Sequence, residues 1–192
     1  MQATKIPESM MHWTQQIDQT TQAFVATFGK LTAEELNWKP NVETWSIAQN
    51  IHHLIVLNQS YFAIFSALKK GNYKTSFVAK LGFVVSFFGN MICNSVTPDR
   101  NKKIKTFAIW EPAASALPAD IVPQFTTHQE QLKMEIDTIQ PFVDKGTVIA
   151  SPANKHIVYK LEKALDIIVV HEQRHLEQAS EVYKLWQKTT NP

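Results

Sequence analysis

The sequence predicts an all-α protein: a four-helix bundle with an apolar helical insertion between helices 2 and 3. Three observations carry that prediction. Four stretches of roughly 20 to 30 residues repeat apolar side chains at spacings of three and four, the period of a helix with one buried face. Two capping-box patterns, Thr32 with Glu35 and Ser46 with Gln49, mark helix starts, and Gly29 and Gly71 mark helix ends. Strand alternation, internal repeats and low-complexity runs are lacking. The 192 residues are expected to form one domain, large enough to bury a real core.

The first helix is expected from about Pro7 to Gly29, with Trp13, Ile17, Thr20, Phe24 and Phe28 on its apolar face. Thr32 to Leu36 makes a short helical turn, and Asn37-Trp38-Lys39-Pro40-Asn41 breaks the structure. The second helix starts at Thr44 or Ser46 and continues to about Lys70. At about 100° per residue with His53 at 0°, Ile64, Leu57, Leu68, Tyr61, Leu54, Phe65 and Ile47 fill an arc of about 20–120°. His53 edges that arc and is predicted to face the interior. His52 lies about 100° the other way and is predicted to face solvent or the rim.

Phe77 to Val96 is rich in Phe and Val, but Lys80, Gly82, Gly89, Asn90 and Asn94 interrupt it. Its continuous apolar part is shorter than the roughly 20 residues of a membrane span, so it is expected to pack over the bundle or against a partner. Thr97 to Pro118 reads as a basic connector punctuated by Pro98, Pro112 and Pro118. The third helix is expected from Pro118 or Ala119 to about Val143, burying Ile121, Phe125, Leu132, Ile136, Ile139 and Val143. His128 falls within or beside that face, where a core or rim histidine bonded to a neighbour is expected. Residues 144–156 read as a linker, and Ile157 to Trp186, free of Pro and Gly, as one long final helix.

That final helix carries the functional signal. With His171 at 0°, Ala164, Val182, Ile157, His175, Ile168, Trp186, Leu161 and Ala179 all fall within about 0–80°. Gln173, Arg174 and Glu177 point elsewhere, and Gln178 edges the stripe about 20° to the other side. Two histidines four residues apart therefore sit on a core face. A buried imidazole needs a partner for each ring nitrogen or costs roughly 1–3 kcal/mol per unsatisfied group. Either each ring is satisfied separately, or the pair shares a metal ion, which the spacing suits.

Several function classes are disfavoured. The net charge of +2 and the scattered basic residues do not support nucleic-acid binding, and Arg100-Asn101-Lys102-Lys103 with Lys105 reads as a solvated loop. The single Cys93 excludes an internal disulfide and a cysteine-based zinc site, and fits a reducing cytoplasm. The start, MQATKIPESMMHW, has no apolar run of signal type, and no dinucleotide or P-loop fingerprint is present. His171-Glu172-Gln173-Arg174-His175 matches the H-E-x-x-H pattern of zinc peptidases. However, the continuation Leu176-Glu177-Gln178-Ala179-Ser180-Glu181 lacks the extended Gly and His pattern, and Glu172 sits about 100° from His171 at the stripe's margin.

The third ligand has to come from upstream, where His53 faces inward. The segment LTAEELNWKPNVETWSIAQNIHHL, in which Trp45-Ser46 leads to His53, resembles the DinB-like superfamily of damage-inducible bundle metalloproteins. VVHEQRHLEQ resembles that family's H-x-x-x-H-x-x-Q, giving His171, His175 and Gln178. KIKTFAIWEPAA and the helix after it are similar as well. The resemblance spans most of residues 10–186. It implies an up-down-down-up bundle holding zinc or nickel through His53, His171 and His175, often as a homodimer. Where the family often has Glu, this chain has Gln49.

Some relatives in that family use a low-molecular-weight thiol, and three neutral histidines leave a divalent ion at least one open position. The expected function is therefore metal-assisted activation of a small thiol that attacks an electrophile, as in a thiol S-transferase or a related hydrolase-type enzyme. Gln178 would orient a ligand or bound water. The alternative is a non-enzymatic, stress-related metal-binding or scaffold protein. It is favoured by the absence of a Ser/His/Asp set and of a basic neighbour for Cys93. Nucleic acid and membrane are not among the expected partners.

Overall fold

The computed structural model describes residues 8–75, 77–97 and 106–190. The run 100–105, Pro7 and Pro98 lie outside the described residues. The elements in order are α1 (Glu8–Phe28), α2 (Ala33–Asn37), α3 (Ile47–Lys69), α4 (Gly82–Ser95), α5 (Ile121–Asp144), β1 (Val148–Ser151), β2 (Asn154–Lys160) and α6 (Leu161–Thr190). Short 3-10 turns at Phe77–Lys80 and Ala108–Trp110 flank α4 and its connector. The protein is thus mostly helical, with one small two-stranded sheet.

The four long helices form the body. Both α1 and α3 pack against α5 and α6. Burial follows most of the predicted stripes: Trp13, Ile17, Phe24 and Phe28 from α1 are buried, with Leu54, Tyr61 and Phe65 from α3 and Phe125, Leu132 and Ile136 from α5, whereas Ile64, Val143 and Trp186 are only part-buried. α6 contributes Leu161, Ala164, Ile168, Ala179 and Val182. Polar groups at this core are tied across helices, as where Trp13 Nε1 donates to Asp166 Oδ1 at 2.9 Å.

The helix boundaries have local causes. Both predicted capping boxes form: the Thr32 and Ser46 hydroxyls accept from the N–H groups of Glu35 and Gln49, whose side chains reach back to the cap N–H groups. α3 ends in a Schellman motif. Gly71, at φ 67°, donates to Leu68 O, and Asn72 donates to Ala67 O. Ser46 also orients the N-terminal turn of α3, two turns before His53. Ser46→Ala is expected to cost about 1 kcal/mol in urea unfolding, the usual cost of a lost N-cap. An unchanged midpoint would show that the box contributes nothing.

The region before α6 departs from the sequence expectation. In place of a linker running into a helix from Ile157, Val148–Ser151 and Asn154–Lys160 pair as an antiparallel hairpin, with Ile149 opposite Tyr159 and Ala150 opposite Val158. The helix begins only at Leu161 and runs past Trp186 to Thr190. Val148, Ile149, Ile157, Val158 and Tyr159 are β-branched or aromatic strand formers. In so short a run, periodicity alone does not separate a strand from the first turns of a helix. Ile149, Val158 and Tyr159 bury their side chains in the core.

The apolar insertion is covered on one face only. Val85 and Gly89 of α4 are buried, and the helix packs on β2 and α6. A Cβ at Gly89 would stand 3.0 Å from Lys163 Cγ and 3.4 Å from Tyr159 Cβ, so glycine permits this close approach. The opposite face stays exposed. Among the described residues the one helix long and apolar enough to cross a membrane is α3, half of whose apolar window is buried inside the fold.

Candidate metal centre

α3 delivers His53 and α6 delivers His171 and His175 to one point. All three are buried, and one ring nitrogen from each lies within 4.8 Å of the other two. The ring centroids stand 4.6 Å apart for His53 and His175, 5.1 Å for His53 and His171, and 4.5 Å for His171 and His175. The sequence placed these three residues on inward faces, and the fold brings them together.

Two of the rings have their tautomer fixed from outside. His53 Nδ1 lies 2.5 Å from the Trp110 carbonyl oxygen, which can only accept, so Nδ1 carries the proton and Nε2 keeps its lone pair. His175 Nδ1 lies 2.7 Å from Asn50 Oδ1. The Asn50 amide nitrogen donates to Ser46 O at 2.9 Å, which turns its oxygen toward the histidine. His175 Nδ1 therefore donates, and its bare Nε2 faces His171 Nε2 at 3.1 Å. The buried His171 Nδ1 has no hydrogen-bond partner among the described residues. Two lone pairs directed inward, with a third imidazole against them, fit a divalent ion. Ligating histidines are held in this way by carbonyl or amide acceptors on the far ring nitrogen.

Burial also selects the ligating form. Desolvation lowers His53 to about 4, against the opposing effect of the hydrogen bond that its Nδ1 donates to the Trp110 carbonyl. His171 is driven well below the ordinary histidine value, by burial first and then by His53 and Arg174. Neutral imidazole is the form that binds metal. The Trp45 ring stacks on His175 at 5.8 Å with 19° between planes and lies 4.9 Å from His53, shielding one side of the cluster.

The other side faces space. A cavity of about 890 Å³ reaches all three histidines and is lined by apolar groups such as Trp45, Trp110, Ile92 and Ile167. Asn50, Arg174 and Gln178 add polar groups to its wall. That size and mixture suit a small organic ligand. Tyr61 and Tyr159, whose hydroxyls are 2.8 Å apart, also line it.

The remaining candidates fall out as follows. His52 stays off the cluster, half-buried, with its Nδ1 accepting from Ala113 N–H at 3.4 Å. His128 is buried but stacks on Phe62 at 5.6 Å, and neither ring nitrogen has a hydrogen-bond partner among the described residues. The neighbour expected to bond it is thus a ring face. Gln49 supports the α3 cap and donates to Ala113 O at 3.0 Å, tying the connector down. Arg174, expected to point away from the core, is covered by the C-terminal end of α4, where it donates to Ser95 O and Thr97 O. Glu172, placed at the stripe's margin, is fully buried between Asn58 and Gln129 and does not line the cavity. The peptidase-like pattern therefore lacks its general base at the site.

Two supporting groups went unrecognised in the sequence. Asn50 falls about 60° from His53, inside the inward arc, so a polar residue on an apolar face was the available signal. Trp110 acts through its backbone carbonyl in an irregular connector, where no periodicity reports direction.

A sequence model of the DinB superfamily matches residues 16–179, a span that includes the three histidines, Asn50 and Trp110. No curated protein and no solved structure gives a match.

Proposed function

The chain belongs to the DinB superfamily, and from that premise we propose that it is a metal-dependent thiol S-transferase or a related hydrolase-type enzyme. In this reading His53, His171 and His175 hold a divalent ion, zinc or nickel, in an up-down-down-up bundle. The observation that carries the proposal is the position of the three histidines at the wall of the cavity, so that the site has room for a small thiol and its electrophile. A structural ion would need a closed shell of protein ligands, whereas a cavity beside three neutral ligands leaves a position open. When bound, a divalent ion supplies positive charge that favours thiolate over thiol near neutral pH.

The protein's own groups supply the rest. Trp110 and Asn50 hold two of the rings in the orientation that points bare nitrogens inward. Trp45 keeps water from one side of the cluster. Gln178, one turn beyond His175 and on the cavity wall, is placed to orient the thiol or a water through its amide. Cys93 has Lys163 as a basic neighbour that the sequence did not reveal, but it is not the nucleophile in this reading, because burial outweighs that lysine and raises the thiol above the ordinary value, disfavouring thiolate.

The test uses cobalt in place of the native metal, with glutathione, cysteine, coenzyme A and bacillithiol added in turn. Entry of one of these thiols should produce a sulfur-to-cobalt charge-transfer band. The band should grow with pH through an apparent pKa below the free thiol's value of about 8.5. A cobalt-loaded protein that stays spectroscopically silent across the panel would reject the thiol reading and leave the non-enzymatic metal-binding protein.

A further inference from the structure

The exposed face of α4 and its surrounding charge have no part in the metal site. Phe77, Phe83 and Phe87 are 75%, 76% and 62% exposed, and Leu81 and Met91 are also exposed. Phe83, Phe87 and Met91 are spaced by four, so they share one side of the helix, while Val85 and Gly89 fasten the other side to β2 and α6. The ridge is therefore held firmly on the body and offers its aromatic side outward. α4 itself contains no charged residue.

Positive charge gathers in the segment that leads into it. Residues 70–97 contain three lysines, Lys70, Lys74 and Lys80, and no acidic residue. That is a net +3 in a chain whose whole charge is +2, so the positive charge is concentrated here. Lys70, Lys74 and Lys80 are exposed, and Lys80 Nζ sits 5.7 Å from the Phe77 ring centre, beside the apolar ridge.

We propose that the α4 ridge is a docking face for an anionic lipid bilayer, with Phe83, Phe87 and Met91 entering the headgroup and acyl boundary and the exposed Lys70, Lys74 and Lys80 meeting acidic headgroups. An uncharged, aromatic-rich helix face beside a basic flank is the composition of an in-plane interfacial helix. With 14 residues, α4 is roughly 21 Å long, too short to cross the hydrocarbon core, so it lies along the surface. A second copy of the chain is the poorer occupant. A two-fold dimer through this face would set the same patch against itself, bringing two like-charged sets of lysines together. A homodimer would use another face. The ridge and the catalytic proposal are independent, since docking requires neither metal nor thiol.

Sedimentation with vesicles tests the proposal. The wild-type protein should pellet with equimolar phosphatidylcholine and phosphatidylglycerol vesicles, stay in solution with phosphatidylcholine alone, and release as salt is raised. Phe83→Ser and Phe87→Ser should each weaken binding at least about tenfold. Both positions are exposed, so the variants should keep the wild-type melting temperature. Lys80→Glu should weaken binding to the anionic vesicles by several-fold. The proposal is overturned if the wild type ignores anionic vesicles or if Phe83→Ser and Phe87→Ser bind them as well as the wild type. It is equally overturned if light scattering shows a dimer that Phe83→Ser splits, which would assign the ridge to a second copy.

Discussion

Tag-free protein carrying His175→Ala should contain almost no divalent transition metal, whereas the wild type should contain roughly one ion per chain. His175 has the most connections of the three rings. Its Nδ1 is held by Asn50, its Nε2 faces His171, and Trp45 stacks on it. Removing it leaves two ligands on separate helices with no third group among the described residues to close the set. The affinity loss should exceed the roughly 10–100-fold typical of removing a supporting residue. Asn50→Ala should fall within that lower range, because it frees the His175 ring to turn without deleting a ligand. His52→Ala should keep its metal, since that ring is engaged with the Ala113 amide and not with the cluster. Metal analysis by mass spectrometry, with circular dichroism to confirm helicity, reads all three. Equal metal loss from His52→Ala and His175→Ala would show that the ligand assignment is wrong.

The parts of this site that were legible in the sequence are those governed by helical period. His53, His171 and His175 each lie on a long helix whose buried face is fixed by many large apolar neighbours, so the direction of each ring followed from counting. The same logic gave α1, α3 and α5 nearly to the residue. It failed where a residue's surroundings come from a distant segment. Arg174 lies off the apolar stripe, yet the end of α4 covers it and supplies carbonyls to it. Glu172 lies at the stripe's margin, but α3 and α5 close over it with two side-chain amides. The hairpin was missed because its strands are short and join directly to a helix, with Leu161 N donating back to Thr147 O. Trp110 is a backbone acceptor, and no side-chain pattern reports a carbonyl's direction.

Glu172→Gln should reshape the pH dependence of stability while leaving metal binding intact. The Glu172 carboxyl is fully buried, and desolvation raises it to about 7 despite donated bonds from Gln129 and Asn58. An unfolded glutamate titrates near 4.5. Between those values the folded protein holds a proton that the unfolded chain has released. Stability from this group is therefore full below pH 4.5 and is lost as pH rises through 7. The total is roughly 3 kcal/mol, from about 1.4 kcal/mol per pH unit over that window. His53 and His128, both lowered to about 4 by burial, act in the opposite sense, adding stability as pH rises to the ordinary histidine value. Subtracting the variant's profile from the wild type's cancels these histidine contributions and isolates Glu172. Glutamine suits the neutral state because Asn58 Oδ1 and Gln129 Oε1 lack partners among the described residues. Either amide can turn its oxygen toward the new NH2 group, as it can toward a protonated carboxyl. In urea unfolding of chelator-treated protein, the variant should match the wild type near pH 4.5 and exceed it by roughly 3 kcal/mol near pH 8. Parallel profiles across that range would mean that Glu172 is ionised in the folded protein throughout, with its charge compensated by its two amide partners.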